Sequence, residues 1–295
     1  MKNYNLNIAG YKIRFENTSD RTDIIPSERF SKYISTENEY DFLIRVHTGK
    51  IIIPEGAKKV FDAPYIEEIN NIRIKKSDDF WSVFQDRDDL FITSILPQSP
   101  DNSRATLKFS LKEKEWDLWI DTQYRTIDPM EYPLDGLILY YLTAINGDIM
   151  IHGSGVNHNG TGYLFSGISG RGKTTMAKFW DNFGAEIIHD DRLILRKTGT
   201  GYFMNNTPVY KNDEPRESPV SVIFLINHGE ENTMIPVRGA LAISMVMANC
   251  IQHNWNEDIV KGLLKSVSQI CTTIPVYQLW FKPDESITEY LVKNE

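Results

Sequence analysis

The sequence predicts an α+β chain in which a β-rich first part, residues 1–128, precedes an α/β second part, residues 129–295. Three observations carry this. Short runs of alternating apolar and polar residues, bounded by Gly, Pro, Asn, Asp or Ser, recur as far as residue 120. Beyond Pro129 and Pro133 the apolar spacing changes from two to three and four, the period of a helix. A glycine-rich stretch then lies between an apolar strand pattern and a helix-compatible run.

Taken in order, Tyr4 to Ile8 and Tyr11 to Phe15 alternate around Ala9-Gly10, a connection that closes a hairpin. Strand patterns follow at Phe42 to Val46, Ile51 to Ile53, Asn71 to Lys75, Leu90 to Ile95, Ala105 to Leu111 and Trp116 to Ile120. No fixed-length repeat interrupts them, which excludes a propeller or solenoid. The part holds no phosphate or metal motif, and its tryptophans, Trp81, Trp116 and Trp119, fit either a sheet core or a surface that selects an acceptor. Leu134, Leu137, Ile138, Tyr141, Leu142 and Ile145 then mark one face of a helix that stops at Asn146-Gly147. In the second part, strands are expected at Ile149 to His152, Tyr163 to Phe165, Ala185 to His189, Leu193 to Arg196 and Val220 to Ile226, with helices at Met176 to Phe183 and Asn256 to Ile270.

Composition narrows the function. The 295 residues are 41% hydrophobic and 24% charged, an ordinary folded chain, and a formal net charge of −8 argues against nucleic acid or an anionic membrane as partner. No apolar run approaches the ~20 residues that span a bilayer, and none near Met1 has signal-peptide character. Cys250 and Cys271 form no CxxC pattern and lack His neighbours at ligand spacing. The expectation is a cytoplasmic protein without structural zinc or disulfide.

Gly167-Ile168-Ser169-Gly170-Arg171-Gly172-Lys173-Thr174 satisfies GxxxxGK[ST], and Thr175 continues it. Glycines let backbone N–H groups converge on phosphate oxygens, and a helix N-terminus adds partial positive charge. Lys173 is expected at the terminal phosphates and the Thr174 hydroxyl on Mg²⁺. Seventeen residues beyond Lys173, an apolar run ends in Asp190-Asp191, carboxylates of the kind that hold Mg²⁺ or accept a proton. His152 precedes the loop strand, where a structural and a catalytic histidine look alike. Gly153-Ser154-Gly155 lacks the frame of a serine nucleophile elbow.

In order and spacing, His152-Gly153, Gly167 to Thr174 and Gly184 to Asp191 resemble the catalytic domain of HPr kinase/phosphorylase and its relatives, whose nucleotide-binding core is shared with ATP-dependent phosphoenolpyruvate carboxykinase. The resemblance covers roughly residues 133 to 290. Thr207 to Lys211 and Ile274 to Leu279 further resemble small kinase-like proteins found near bacterial peptide-modification systems. The resemblance implies ATP or another purine nucleotide with Mg²⁺ as cofactors, bound at Gly167, Ser169, Gly170, Arg171, Gly172, Lys173, Thr174 and Thr175. It implies Thr174 and Asp191 as metal ligands, Asp190 as general base, and His152 beside the transferring phosphate. The family's Glu-x-Arg-Gly segment has no counterpart here, and residues 1–128 do not resemble its usual partner domain, so HPr is not the implied substrate.

The leading expectation is therefore an ATP-dependent phosphotransferase acting on a hydroxyl of a peptide, protein or small molecule. A non-catalytic ATP-binding switch or scaffold is the alternative from a different class, and a carboxykinase-type enzyme ranks below both because the chain leaves little room for a separate substrate domain. Arg171, Arg192, Arg216 and Arg238 are the arginines considered for charge neutralisation, Arg171 and Arg192 first because they adjoin the motifs.

Overall fold

A computed structural model describes residues 1–69, 72–99, 103–208 and 213–294. The chain divides into two compact units, Met1–Tyr141 with Pro208–Asp213, and Leu142–Thr207 with Glu214–Glu295. The sequence places its boundary near residue 128; the observed division falls within helix α1 (Leu134–Asn146).

The first unit contains β1 (Asn3–Ile8), β2 (Tyr11–Asn17), β3 (Asp23–Ile24), β4 (Ile34–Ser35), β5 (Phe42–Thr48), β6 (Lys58–Ile69), β7 (Ile72–Asp86), β8 (Asp89–Ile95), β9 (Arg104–Phe109), β10 (Glu115–Asp121) and β11 (Thr126–Ile127). Nine of these form one sheet in the order β4-β1-β2-β5-β10-β9-β8-β7-β6, while β3 pairs with β11. Ala9 and Gly10 have φ of 52° and 78°, so both central residues of the first hairpin are left-handed, which suits the twist of the antiparallel β1–β2 pair. Strict alternation buries one face: in β10, Trp116, Leu118 and Ile120 are buried, whereas Asp117, Trp119 and Asp121 are only partly covered. Trp116 is thus a core residue. Trp119 stacks on His47 at 4.5 Å on the other face. Residues 51–53 correct the sequence reading, since no strand forms there and Ile52 is 89% exposed. Of the expected strand at Asn71 to Lys75, residue 71 lies outside the described residues and the remainder belongs to the longer β7. The edge strand β6 carries Pro64, and its pairing with β7 is broken by register shifts on both sides of that proline.

Helix α1 matches its pattern, with Gly147 at φ 68° as the left-handed stop. The second unit then builds β12 (Ile149–His158), β13 (Thr161–Ser166), α2 (Lys173–Asn182), β14 (Glu186–Thr198), β15 (Gly201–Asn205), β16 (Glu217–Pro219), β17 (Val222–His228), β18 (Thr233–Val237), α3 (Gly239–Met247), α4 (Glu257–Thr273), β19 (Val276–Phe281) and α5 (Ser286–Lys293). Its sheet runs β16-β15-β14-β12-β13-β17-β19-β18, with β13, β17 and β19 parallel and the other neighbours antiparallel. Pro219 and Pro236 lie in its two edge strands. Helices cover both faces. One core joins Ile149, Ile151, Leu193 and Leu195 to Ala242 and Val246 of α3 and Val267 and Ile270 of α4. The other joins Tyr163, Phe165 and Phe224 to Met176 and Trp180 of α2 and Ile287 and Leu291 of α5. Each buried aliphatic or aromatic side chain contributes about 1.5–3 kcal/mol, which anchors α2 against β13 and fixes the loop between them.

A second correction concerns the acidic segment. The two strands expected at Ala185 to His189 and Leu193 to Arg196 are one, β14, and Asp190 and Asp191 lie in its interior opposite Ser154 and Gly153 of β12. No described helix is long and apolar enough to cross a membrane.

Candidate functional site

Gly167 to Gly172 link the end of β13 to the start of α2. Gly170 and Gly172 have φ of 82° and 90°, conformations that glycine adopts without strain. At Gly172 a Cβ would also stand 2.7 Å from Phe281 Cζ and 3.0 Å from His228 Cε1, so the position is closed to any side chain. Around Gly170 a Cβ would meet nothing within 4 Å, and the loop there is open. Gly172 caps α2 without a side-chain hydrogen bond, so no side chain claims the first N–H groups of the helix through a cap. The His228 Nε2–H donates to the Gly170 carbonyl at 3.3 Å, tying the end of β17 to the loop.

Lys173 folds back over this loop, donating from Nζ to the Gly167 carbonyl at 2.7 Å and to that of Ile168 at 3.3 Å. Burial lowers the pKa of its ammonium, while the charges of Asp190 and Asp191 act in the opposite sense. Lysine and both carboxylates therefore share one electrostatic neighbourhood.

The carboxylates differ. Asp190 accepts a hydrogen bond from the hydroxyl of Ser154, a side chain with no solvent exposure. Asp191 lies 3.7 Å from His152 Nδ1 and 3.7 Å from Arg192 Nε. Burial raises the pKa of the Asp191 carboxyl, but His152 and Arg192 outweigh it and hold the group below the usual carboxylate range. His152 is itself fixed by its backbone, whose N–H donates to the Asn249 carbonyl at 3.0 Å and whose carbonyl accepts from Ser166 Oγ at 2.6 Å. Thr207 Oγ1 donates to the Arg192 carbonyl at 3.0 Å.

Among the residues expected from sequence, His152 thus stands beside Asp191, and Lys173 feels the charge of both carboxylates. Ser169 and Thr174 are exposed on the loop and helix start, and Arg171 and Thr175 are partly covered; none of their side chains has a hydrogen-bond or ion-pair partner among the described residues. Arg192 stands beside Asp191, but Arg216 donates to the Ile187 carbonyl at 2.9 Å and serves the fold. Arg238 caps α3 in backbone only. Of Thr207 to Lys211, residues 209–211 lie outside the described residues. Sequence reasoning missed Ser154 and His228. Ser154 was weighed only as a nucleophile, and His228 ends a strand that becomes the loop's neighbour only through the parallel β13–β17 pairing.

The donor set has a defined chemistry. No group of three or more His, Cys, Asp or Glu among the described residues could hold a metal ion by itself. Aspartate carboxylates and a threonine hydroxyl are the donor types that suit Mg²⁺, which binds through one or two carboxylates and completes its shell with water and phosphate oxygens. The uncapped helix start and the left-handed glycines fit a phosphate group.

No family model matches the chain, and no curated protein matches it. Among solved structures it is similar to the HPr(Ser) kinase/phosphatase from Coxiella burnetii, at 12% identity and a TM-score of 0.32, over 49% of this chain and 94% of that one.

Proposed function

We propose that this protein is an ATP-dependent phosphotransferase that binds a purine nucleoside triphosphate with Mg²⁺ at Gly167 to Thr175 and passes a phosphoryl group to a hydroxyl. The observation that carries this reading is the left-handed glycine loop at the start of α2, whose Lys173 folds back over it and feels the charges of Asp190 and Asp191 in β14. The bound Mg²⁺-nucleotide would supply the phosphoryl group and the metal's charge. Backbone N–H groups of the loop and α2, together with Lys173, would hold phosphate oxygens. Thr174 and Asp191 would face the metal, and His152 with Arg192 keeps Asp191 ionised for that task. Asp190, whose one side-chain hydrogen-bond donor among the described residues is Ser154, would accept the proton of the acceptor hydroxyl. Positioning and charge neutralisation would supply most of the rate.

Lys173→Ala should weaken binding of ATP-Mg²⁺ by at least tenfold in calorimetry, because a charge-assisted phosphate contact is removed. Equal affinity in the two proteins would refute the site. Tight binding without phosphate release by the unmodified chain would leave the ATP-dependent switch as its function.

A further inference from the structure

The sheet places a serine where the carboxylate of Asp190 needs a fixed direction. β12 and β14 are antiparallel, Ser154 pairs directly with Asp190, and its hydroxyl donates to Oδ1 of that residue. Ser154 has 0% exposure, in a strand whose other buried side chains, Ile149, Met150, Ile151 and Val156, are apolar. A hydroxyl buried there costs free energy unless it is paired, and Asp190 is the partner the structure gives it. The flanking positions are Gly153 and Gly155. A Cβ at Gly153 would stand 3.0 Å from Leu164 Cδ1 and 3.1 Å from the Phe165 carbonyl, and one at Gly155 would stand 2.9 Å from Met204 Sδ. The backbone of β12 is thus packed closely on both sides of the serine, which cannot drift away from β14.

The two carboxylates are held in different ways. Asp191 has His152 and Arg192 beside it, whereas the described residues give Asp190 a single hydrogen-bond donor and leave Oδ2 without one. We infer that Ser154 is a positioning residue for phosphoryl transfer: by engaging Oδ1 it fixes the rotamer of Asp190 and turns Oδ2 toward the acceptor. This rests on the phosphotransferase reading above. In the step it serves, the acceptor oxygen forms a bond to phosphorus and gives its proton to Asp190 Oδ2. The bond from phosphorus to the nucleoside diphosphate breaks, and its electron pair leaves with the diphosphate. A carboxylate free to rotate would spend much of its time out of reach of that proton, and misplacement by about 1 Å can cost on the order of 100-fold in rate.

The test uses the full chain with ATP, Mg²⁺ and water as acceptor, and compares the unmodified protein with Ser154→Ala and Ser154→Cys. Cysteine fills the serine's space but is a weak donor, so it separates loss of the hydrogen bond from loss of packing and covers the case in which the alanine form does not fold. Phosphate release gives kcat and KM, calorimetry gives the Kd for ATP-Mg²⁺, and crystal structures of the unmodified and cysteine forms show the Asp190 side chain. The expected result is a kcat lowered about 10- to 100-fold in both variants, with KM and Kd within about twofold, and an Asp190 carboxylate that has left its Ser154 position. Unchanged kcat, an unmoved Asp190, or a loss confined to KM and Kd would each overturn the inference. An unmodified chain that releases no phosphate removes the transferase reading instead; the Asp190 rotamer in the two crystal structures then decides by itself whether Ser154 positions the carboxylate.

Discussion

Asp190 and Asp191 are adjacent in sequence, yet their surroundings differ, and under the proposed function they would do different work. Asp191→Asn removes a charge that His152 and Arg192 hold ionised, and it should raise the Mg²⁺ concentration needed for half-maximal activity at least several-fold. Asp190→Asn should leave nucleotide affinity within about twofold and lower phosphate transfer by on the order of 100-fold or more. Magnesium titrations of both variants at saturating ATP separate the two effects. If both lose only metal affinity, proton acceptance does not belong to Asp190. Their residue types alone do not tell them apart, and the sequence separates them only through the family resemblance, because Ser154 and His152 come from β12, a strand thirty-odd positions earlier.

At the scale of elements, glycine spacing separates conformational need from space. Gly162 in β13 has its Cα so near β16 that a Cβ would fall 1.6 Å from the Pro219 carbonyl oxygen, a contact that only a backbone shift relieves. Gly162→Ala should therefore destabilise the second unit by at least about 3 kcal/mol. Gly170→Ala meets open space and should cost about 1 kcal/mol, through its positive φ alone. Urea unfolding followed through the fluorescence of the buried Trp180 measures both; equal losses would show that Pro219 yields. The elements were legible where one period dominates. α1, the first hairpin and α4, whose Asn256 side chain accepts from the Ile259 N–H at 3.0 Å, follow their patterns closely. β6 was not, since Lys58, Lys59, Asp62 and Pro64 break its alternation and pairing with β7 supplies what local preference lacks. The sequence breaks β14 into two strands, Ala185 to His189 and Leu193 to Arg196, because paired aspartates favour a turn, whereas ladder bonds to β12 carry one strand through them. The loop motif, by contrast, is local: its glycines, lysine and helix are contiguous in sequence, so it needed no distant partner to be seen.

For the molecule as a whole, the pH dependence of stability should carry the mark of one carboxyl in the first unit. Burial pushes the Asp128 pKa up to about 6, against the Met130 N–H that donates to it at 2.9 Å. The folded state therefore binds this proton more tightly than the unfolded chain does. Its stabilising contribution is complete below the ordinary carboxyl pKa, near 4, and is lost as pH rises through about 6. Between pH 7.5 and 4.5 the unfolding free energy should rise by about 2 kcal/mol from this group, and Asp128→Asn should flatten that rise. Identical pH profiles for the two proteins would mean that the carboxyl is solvated.

The prolines of the edge strands have a consequence for how the protein behaves in company. A sheet edge exposes a row of N–H and C=O groups on which another chain can extend the ladder. Pro64 in β6, Pro219 in β16 and Pro236 in β18 each remove an N–H from an edge strand, and β4, the fourth edge of the two large sheets, is only two residues long. A chain with this much strand would otherwise offer every copy a template for strand-by-strand polymerisation. With its edges blunted in this way, each large sheet offers a neighbouring copy fewer ladder bonds than an unbroken edge strand would.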